Sequence, residues 1–289
     1  MQNFKVDFML IGAMKCGTST LAHILKNHPE IGFSSIKEPQ FFSRTKNWKH
    51  HINEYHELFN FEKGKIFGEA STLYTNYPQT NLEIWNDIYE YNNNMNILYI
   101  VRNPVDRAVS HYMHNYERGF INNTIEKSLK FTNIINAGRY FTQINPFIEK
   151  FGIDNVLILD FDDLLTNRAE VLKEISSFLN IDFNKFTNYE NVHRNVSVGG
   201  KRKSVNNIFI MRMINKYKLR PLLKHIPEKI KNFIDKYFFS NKDRKFTKKP
   251  ELTKKQINMI INLNLLDISA LEKITKKDFS KWKNLNELN

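Results

Sequence analysis

The chain has 289 residues, of which 41% are apolar, so it is long enough to bury a sizeable core as one large α/β domain or two small ones. Its single cysteine, Cys16, excludes an intramolecular disulfide framework and any zinc site with several cysteine ligands. The net charge of +13 arises from Lys201 onward, where 23 Lys and Arg accompany 8 Asp and Glu, whereas residues 1–200 carry 20 against 22.

The first segment of the chain is predicted to fold as a strand, a glycine-containing loop and a helix. The run Phe8–Ala13 is short and apolar, which is typical of a buried strand that ends at a turn. In Ser19–His28 the apolar residues recur at helical spacing, and Pro29 closes this helix.

Later segments repeat the alternation of apolar strands with amphipathic helices. Strands are predicted within Lys65–Ser71, Asn96–Pro104 and Asn155–Leu164, and helices within Val105–Gly119 and Asn167–Asn180. This alternation predicts an α/β fold in three layers, with a central parallel sheet that helices cover on both faces.

The last third of the chain is predicted to be helical, with apolar stripes in Asn206–Lys218, Pro227–Phe239 and Leu252–Ile274. No internal repeat or long linker is visible, so we predict a single domain over residues 1–289 with a basic helical portion from about residue 205. This portion either contacts a polyanion or an anionic membrane surface, or simply carries its lysines on solvated helix faces.

The loop Gly12–Gly17 keeps the glycine spacing of a phosphate-binding Walker A loop but changes its chemistry. Thr18 stands where that motif has its lysine, and Lys15 lies inside the loop instead. Backbone N–H groups, the positive end of the next helix and the hydroxyls of Thr18–Thr20 can still bind an anion. Because the lysine that reaches the β- and γ-phosphates is missing, a ligand other than a nucleoside triphosphate is indicated.

The sequence offers only a weak candidate for a strand that ends in a magnesium-binding aspartate. The nearest candidate is "VLILDFDD", in which Asp160, Asp162 and Asp163 follow an apolar run. Carboxylates can hold Mg²⁺, but acidic residues at this position also cap the helix that follows. A metal-dependent nucleotide kinase or hydrolase is therefore kept as an alternative that the sequence disfavours.

Two segments resemble the nucleotide-binding motifs of sulfotransferases that use 3′-phosphoadenosine 5′-phosphosulfate (PAPS). "IGAMKCGTSTLAHIL" resembles the loop that binds the 5′-phosphosulfate, and "IVRNPVDRAVSHYMH" resembles the strand and helix that hold the 3′-phosphate. "KEPQFF", "GEASTLYT", "NAGRYFTQINPFIEKFG" and "LLDISALEKITKKDFSKW" extend the resemblance over nearly the whole chain. The branch concerned contains heparan-sulfate-type and bacterial carbohydrate sulfotransferases, and it implies a P-loop-like fold.

The resemblance implies roles for individual residues. Glu38 corresponds to the general base, Lys15 to the cation that stabilises the leaving phosphate, and His114 to an active-site histidine of N-sulfating relatives. The residues implied in binding the nucleotide are Lys15, Cys16, Gly17, Thr18, Ser19, Thr20, Arg102, Ser110, Lys201, Arg202 and Lys203. PAPS already carries its leaving group, so the reaction is expected to need no metal.

The acceptor is less well defined by the resemblance. Several heparan-type enzymes have Glu-Lys where this chain has Glu69 and Ala70, so one lysine of their site is missing. We expect a carbohydrate or glycolipid acceptor, sulfated on a hydroxyl rather than an amine, and no nucleic-acid partner. The alternative outside the enzymes is a polyanion-binding protein without catalytic activity.

The expected location is the cytoplasm. The basic C-terminal portion adds the expectation of peripheral contact with the inner face of the membrane. No apolar run approaches the roughly 20 residues that span a bilayer, and no basic flank precedes an apolar core at the N-terminus. These features favour a bacterial-type member over a Golgi enzyme.

Overall fold

The computed structural model describes residues 4–130, 132–190, 192 and 246–284. Its central sheet has the strand order β2-β3-β1-β4-β5, and every neighbouring pair is parallel. The strands are β1 (Phe8–Gly12), β2 (Ile31–Phe33), β3 (Ile66–Ala70), β4 (Asn96–Val101) and β5 (Val156–Asp160). The predicted parallel α/β fold is thus confirmed, whereas the short strand β2 was not predicted.

Helices follow most of the strands and cover both faces of the sheet. They are α1 (Thr18–Lys26), α2 (Phe41–Arg44), α3 (Ile52–His56), α4 (Ile84–Tyr91), α5 (Pro104–Glu117), α6 (Ile125–Ser128), α7 (Thr132–Asn136), α8 (Tyr140–Phe151), α9 (Phe161–Thr166), α10 (Arg168–Leu179) and α11 (Lys254–Thr275). Short 3₁₀ turns occur at Trp48–His51, Thr72–Thr75, Ile153–Asn155, Phe183–Lys185 and Ser280–Trp282.

The two central strands are buried on both faces, as their continuous apolar sequences predict. All five residues of β1 are buried, and so are the last five of β4. The ring of Phe8 lies directly over Gly68 of β3, where a Cβ atom would come within 2.1 Å of it. Close strand packing at this point therefore requires a residue without a side chain.

The order of the strands places a crevice between β1 and β4. From β1 the chain crosses to β2 and returns to β3 on one side, and β4 and β5 then extend the sheet on the other side. Since the connections that leave β1 and β4 run in opposite directions, their carboxyl ends form a topological switch point, where α/β proteins bind their ligands. Both segments with predicted nucleotide contacts begin there.

Helix α11 packs against α5 and α8. Its Asp267 accepts hydrogen bonds from the backbone N–H groups of Phe141 and Thr142, both at 2.8 Å, and so caps the start of α8. Beyond α11, Trp282 is fully buried and stacks on Phe279 with ring centroids 4.2 Å apart. The predicted helices Asn206–Lys218 and Pro227–Phe239 lie outside the described residues, and the single domain over 1–289 stays a prediction.

Candidate active site

The loop between β1 and α1 has a backbone shape that suits an anion. Lys15 and Gly17 both adopt positive φ angles, of 72° and 88°. Within the described chain no side chain caps the N-terminus of α1, and its first turn, Thr18–Thr20, contains no acidic residue. The positive end of the helix dipole is therefore directed at the loop without a competing carboxylate.

Gly17 is sterically required at the end of this loop. A Cβ atom there would lie 2.6 Å from the ring of Phe161, which is the first residue of α9. The tight contact brings the loop and the end of β5 together. It also explains why the second glycine of the motif is kept although the motif's lysine is not.

The side chains of the loop face different environments. Lys15 and Ser19 are half-buried, whereas Thr18 and Thr20 are buried at 7% exposure each. The thiol of Cys16 points into the core, 3.6 Å from the hydroxyl of Tyr140, and burial raises its pKa to about 11. Cys16 thus contributes to the loop through its backbone, and its N–H donates to the carbonyl of Ala13.

Arg102 joins the two segments in which the sequence predicts phosphate contacts. It follows β4, and its Nη1 donates to the backbone carbonyl of Lys15 at 3.4 Å. Its guanidinium lies over the ring of Phe161, 4.6 Å from the centroid. The backbone carbonyl of Arg102 accepts a hydrogen bond from the Tyr140 hydroxyl at 2.5 Å.

Helix α5 carries the remaining predicted residues of this side. Ser110 is buried and His114, one turn later, is half-buried. Between them, His111 is buried beside Arg107, and its pKa lies well below the ordinary value, first because of burial and then because of the charges of Arg107, His114 and Lys15. The charge of Lys15 is thus near enough to affect His111, although the loop and the helix are far apart in sequence.

Arg107 is a structural residue in this arrangement. Its guanidinium is 1% exposed and donates to the backbone carbonyl of Ile134, and it lies 3.2 Å from Nδ1 of His111. A Cβ atom at Gly138 would come within 3.0 Å of its Nε. These contacts give Arg107 a packing role between α5 and α7.

Glu38 lies on the loop that follows β2. The residue has a φ of 52°, and its side chain is 31% exposed. Oε2 accepts a hydrogen bond from Nε2 of Gln40 at 3.2 Å, and Oε1 lies 3.9 Å from Nζ of Lys37. Lys37 in turn donates to Oγ of Ser19 at 2.7 Å, which connects the predicted base with the first turn of α1.

A cavity of about 290 Å³ lies beside Glu38. It is lined by Ser19, Ala22, His23, Lys26, Phe33, Ser34, Lys37, Glu38 and Ala70. The cavity runs along one side of α1, and Lys37 and Ala70 both line it. Lys37 belongs to the segment "KEPQFF", but the sequence predicted no role for it, because a single lysine on a loop cannot be told from an ordinary surface lysine.

A buried carboxylate lies behind the Glu38 loop. Glu69 is fully buried in β3 and accepts hydrogen bonds from the hydroxyls of Tyr55 (3.1 Å), Ser71 (2.5 Å) and Tyr74 (2.5 Å). Burial raises its pKa to about 7 against the opposing effect of these donors, and the charge of Glu38 adds to the rise. Sequence reasoning noted Glu69 only as part of a departure from the family pattern.

Asp160, the last residue of β5, caps the helix that follows it. Asp160 accepts a hydrogen bond from the N–H of Asp162 at 2.9 Å and so forms the N-cap of α9. Asp162 lies 3.4 Å from the ammonium of Lys281. In residues 4–130, 132–190, 192 and 246–284, no three His, Cys, Asp or Glu side chains converge as a metal site requires.

Three predicted nucleotide contacts, Lys201, Arg202 and Lys203, lie outside the described residues. Of the helices that the structure describes, none is long and apolar enough to cross a membrane.

Comparison with known proteins finds relatives that are named as heparan sulfate and carbohydrate sulfotransferases. It is 28% identical over 188 residues to heparan sulfate glucosamine 3-O-sulfotransferase 5 of Mus musculus, covering 60% of this chain and 53% of that protein. It is 24% identical over 243 residues to human carbohydrate sulfotransferase 15, covering 60% of this chain and 43% of the relative. The matched region thus spans about half or less of these relatives' own length.

Solved structures show the same fold. A sulfotransferase from Alicyclobacillus acidocaldarius superposes with a TM-score of 0.66 at 21% identity, over 97% of this chain and 100% of that one. Mouse sulfotransferase SULT7A1, solved in complex with 3′-phosphoadenosine 5′-phosphate (PAP), gives a TM-score of 0.50 at 17% identity over 94% and 89%. The sequence pattern that defines the sulfotransferase domain matches residues 5–264, and the chain therefore belongs to the sulfotransferase domain family.

Proposed function

We propose that this chain transfers the sulfuryl group of PAPS to a hydroxyl group of a carbohydrate acceptor. The observation that carries the proposal is the contact between Arg102 and the carbonyl of Lys15, because it joins the two segments that would hold the two ends of the nucleotide's phosphates. Relatives named for carbohydrate and heparan sulfate sulfation, and a structural neighbour solved with PAP, support it further. An amine is the less favoured acceptor group, and a glycolipid is the alternative to a free carbohydrate.

The donor would bind across the switch point between β1 and β4. The loop amides and the N-terminus of α1 would face the 5′-phosphosulfate, with the hydroxyls of Thr18–Thr20 as further donors. Arg102 and Ser110 would hold the 3′-phosphate, since a guanidinium can bind phosphate with two parallel hydrogen bonds. This phosphate distinguishes PAPS from ATP.

In the reaction, the acceptor oxygen forms a bond to sulfur while the bond from sulfur to the bridging phosphate oxygen breaks. The electron pair of that bond leaves on PAP, where the ammonium of Lys15 would stabilise the growing negative charge. The acceptor proton would pass to the carboxylate of Glu38, which is half-buried and lines the cavity beside α1. His114, in α5, would be a catalytic residue of secondary importance.

The proposal is tested by donor binding and by transfer. Calorimetry should show binding of PAP and weaker binding of 5′-AMP, and Arg102→Ala should remove this preference. Transfer of labelled sulfate from PAPS to a panel of neutral and uronic-acid-containing oligosaccharides should be abolished by Lys15→Ala and strongly reduced by Glu38→Gln. The exposed lysine variant Lys63→Ala serves as the control and should retain activity.

Other outcomes would favour the alternatives. Magnesium-dependent ATP turnover that is indifferent to a 3′-phosphate would support a kinase or hydrolase. Heparin binding with a steep salt dependence, unchanged by Glu38→Gln and without transfer, would support a polyanion-binding protein. Failure to bind PAP at high micromolar concentration would overturn the sulfotransferase proposal.

A further inference from the structure

Glu69 and Glu38 are connected by a continuous chain of hydrogen bonds. Oε2 of Glu69 accepts from the hydroxyl of Ser71 at 2.5 Å, and Oγ of Ser71 accepts from the backbone N–H of Gln40 at 2.8 Å. The side-chain amide of Gln40 then donates to Oε2 of Glu38 at 3.2 Å. The chain thus runs from the interior of β3 to the wall of the cavity.

The loop that carries Glu38 needs such an anchor. Glu38 and Gln40 both have positive φ angles, of 52° and 54°, which are unfavourable for residues other than glycine. Strained conformations of this kind persist only where surrounding contacts fix them, and they are often found at functional sites. The hydrogen bond from Gln40 N–H to Ser71 supplies one such contact from the rigid end of β3.

The anchor itself is held firmly. Glu69 is fully buried, and besides Ser71 it accepts from the hydroxyls of Tyr55 and Tyr74, which come from α3 and from the 3₁₀ turn after β3. Burying a carboxylate costs free energy unless hydrogen-bond donors surround it. Here three hydroxyl groups donate to Glu69 and offset this desolvation penalty. The proton-transfer chemistry proposed above does not use it directly.

Resting on the proposed function, we propose that Glu69, Ser71 and Gln40 are positioning residues that fix the carboxylate of Glu38 toward the acceptor. The hydroxyl of Ser71 is the link, because it contacts both the buried carboxylate and the strained loop. Gln40 completes the chain, and with a side chain only 6% exposed it has little freedom to turn its amide away from Glu38. None of the three need touch the substrate.

Two variants distinguish a role of Ser71 in positioning Glu38 from a role in packing alone. Ser71→Ala and Tyr55→Phe each remove one hydroxyl donor from Glu69, but only Ser71→Ala breaks the link to the Glu38 loop. We expect Ser71→Ala to lower kcat for PAP formation about tenfold while KM for PAPS changes less than twofold. Tyr55→Phe should leave kcat within twofold of wild type, even where both variants lose similar stability in chemical denaturation.

A third variant tests the outer part of the chain. Gln40→Leu keeps the backbone N–H that binds Ser71 but removes the amide that binds Glu38, so kcat should fall about tenfold here as well. Because the two residues act in series, the Ser71→Ala and Gln40→Leu effects should combine to less than their product. PAP formation is measured with the oligosaccharide panel and with water as the acceptor.

The outcomes are distinct. Equal effects of Ser71→Ala and Tyr55→Phe on kcat, or losses in the double variant that simply multiply, would overturn the inference while leaving the proposed function intact. A wild-type protein that forms no PAP with any acceptor would overturn the proposed function, and the positioning role would fall with it.

Discussion

The hydroxyl of Tyr140 donates a hydrogen bond to the backbone carbonyl of Arg102, across 38 positions of sequence, and lies 3.6 Å from the thiol of Cys16. One buried side chain at the start of α8 thus contacts both segments of the proposed donor site. Tyr140→Phe should weaken PAP binding about fivefold, the equivalent of one hydrogen bond of about 1 kcal/mol. Titration calorimetry with PAP checks the prediction.

Tyr112→Phe is the matched control for this variant. The hydroxyl of Tyr112 also donates to a backbone carbonyl, that of Asn123, at 3.2 Å, but on the side of α5 that packs against Phe246. Its loss should affect stability and leave PAP affinity unchanged. Equal PAP affinities for the two variants would contradict the role assigned to Tyr140.

Gly17→Ala should impair both folding stability and nucleotide binding. The left-handed backbone costs an alanine roughly 1–2 kcal/mol, and the added methyl group would also meet the ring of Phe161 at 2.6 Å. Gly64 has a similar φ of 85°, lies in a turn closed by the Lys65 N–H and the Glu62 carbonyl, and has no neighbour within 4 Å of its Cβ position in the described residues. Gly64→Ala should therefore lose only the backbone term and keep PAP affinity, as denaturation and calorimetry can show.

Lys37→Ala should reduce sulfate transfer about tenfold with little change in stability. The ammonium lies between Oγ of Ser19 and the carboxylate of Glu38, whereas an exposed ion pair contributes at most about 1 kcal/mol to folding. Ala70 lines the same cavity, so adding Ala70→Lys to Lys37→Ala should restore part of the activity.

Lys26→Ala provides the control for charge alone. Lys26 lines the same cavity from the last turn of α1, away from Ser19. Its loss should change KM for the acceptor more than kcat. The role of Lys37 would be refuted if both lysine variants had the same kinetic effect, or if the Ala70→Lys change restored nothing.

The contribution of Glu69 to stability should fall as the pH rises from about 4.5 to about 7, whereas buried His111, whose pKa is lowered, acts in the opposite direction below its ordinary pKa. Burial raises the pKa of Glu69 from 4.5 to about 7, so in this window the folded protein keeps a proton that the unfolded chain has released. The contribution of this one group is at most about 3 kcal/mol, because each pH unit of difference is worth about 1.4 kcal/mol. Asp160, with a pKa raised to about 6, acts in the same direction.

Denaturation in urea at several pH values measures this effect. Glu69→Gln removes the titrating group, so the wild type should lose stability relative to this variant between pH 5 and 7. A difference in stability that stays constant through this window, or that changes in favour of the wild type as the pH rises, would be inconsistent with a buried carboxyl that is protonated at low pH.

The sequence was sufficient for those parts of the fold where one local pattern determines one element. The apolar runs at β1, β4 and β5 and the Asn-Pro that begins α5 predicted the parallel sheet and the edge at which the loops meet. Strand β2 was missed because its three residues, Ile31–Phe33, show too little periodicity and include a glycine.

The network behind the proposed base could not be predicted from local patterns. Gln40 and Ser71 are 31 positions apart, and both look like ordinary polar residues until β2 and β3 pair. The contact between Lys37 and Ser19 likewise depends on where the loop after β2 turns back over α1. Hydrogen bonds between residues of different strands, loops and helices can be identified only when the packing of those elements is known.

The cap that Asp267 supplies to α8 has a consequence for synthesis of the protein. Its carboxylate binds the N–H groups of Phe141 and Thr142, directly after Tyr140, which holds the loop and the end of β4. A nascent chain released only as far as β5 contains all five strands of the described sheet, but the start of α8 still lacks its partner. The nucleotide site should therefore become competent only after α11 has left the ribosome, and shorter translation products should not sequester the donor.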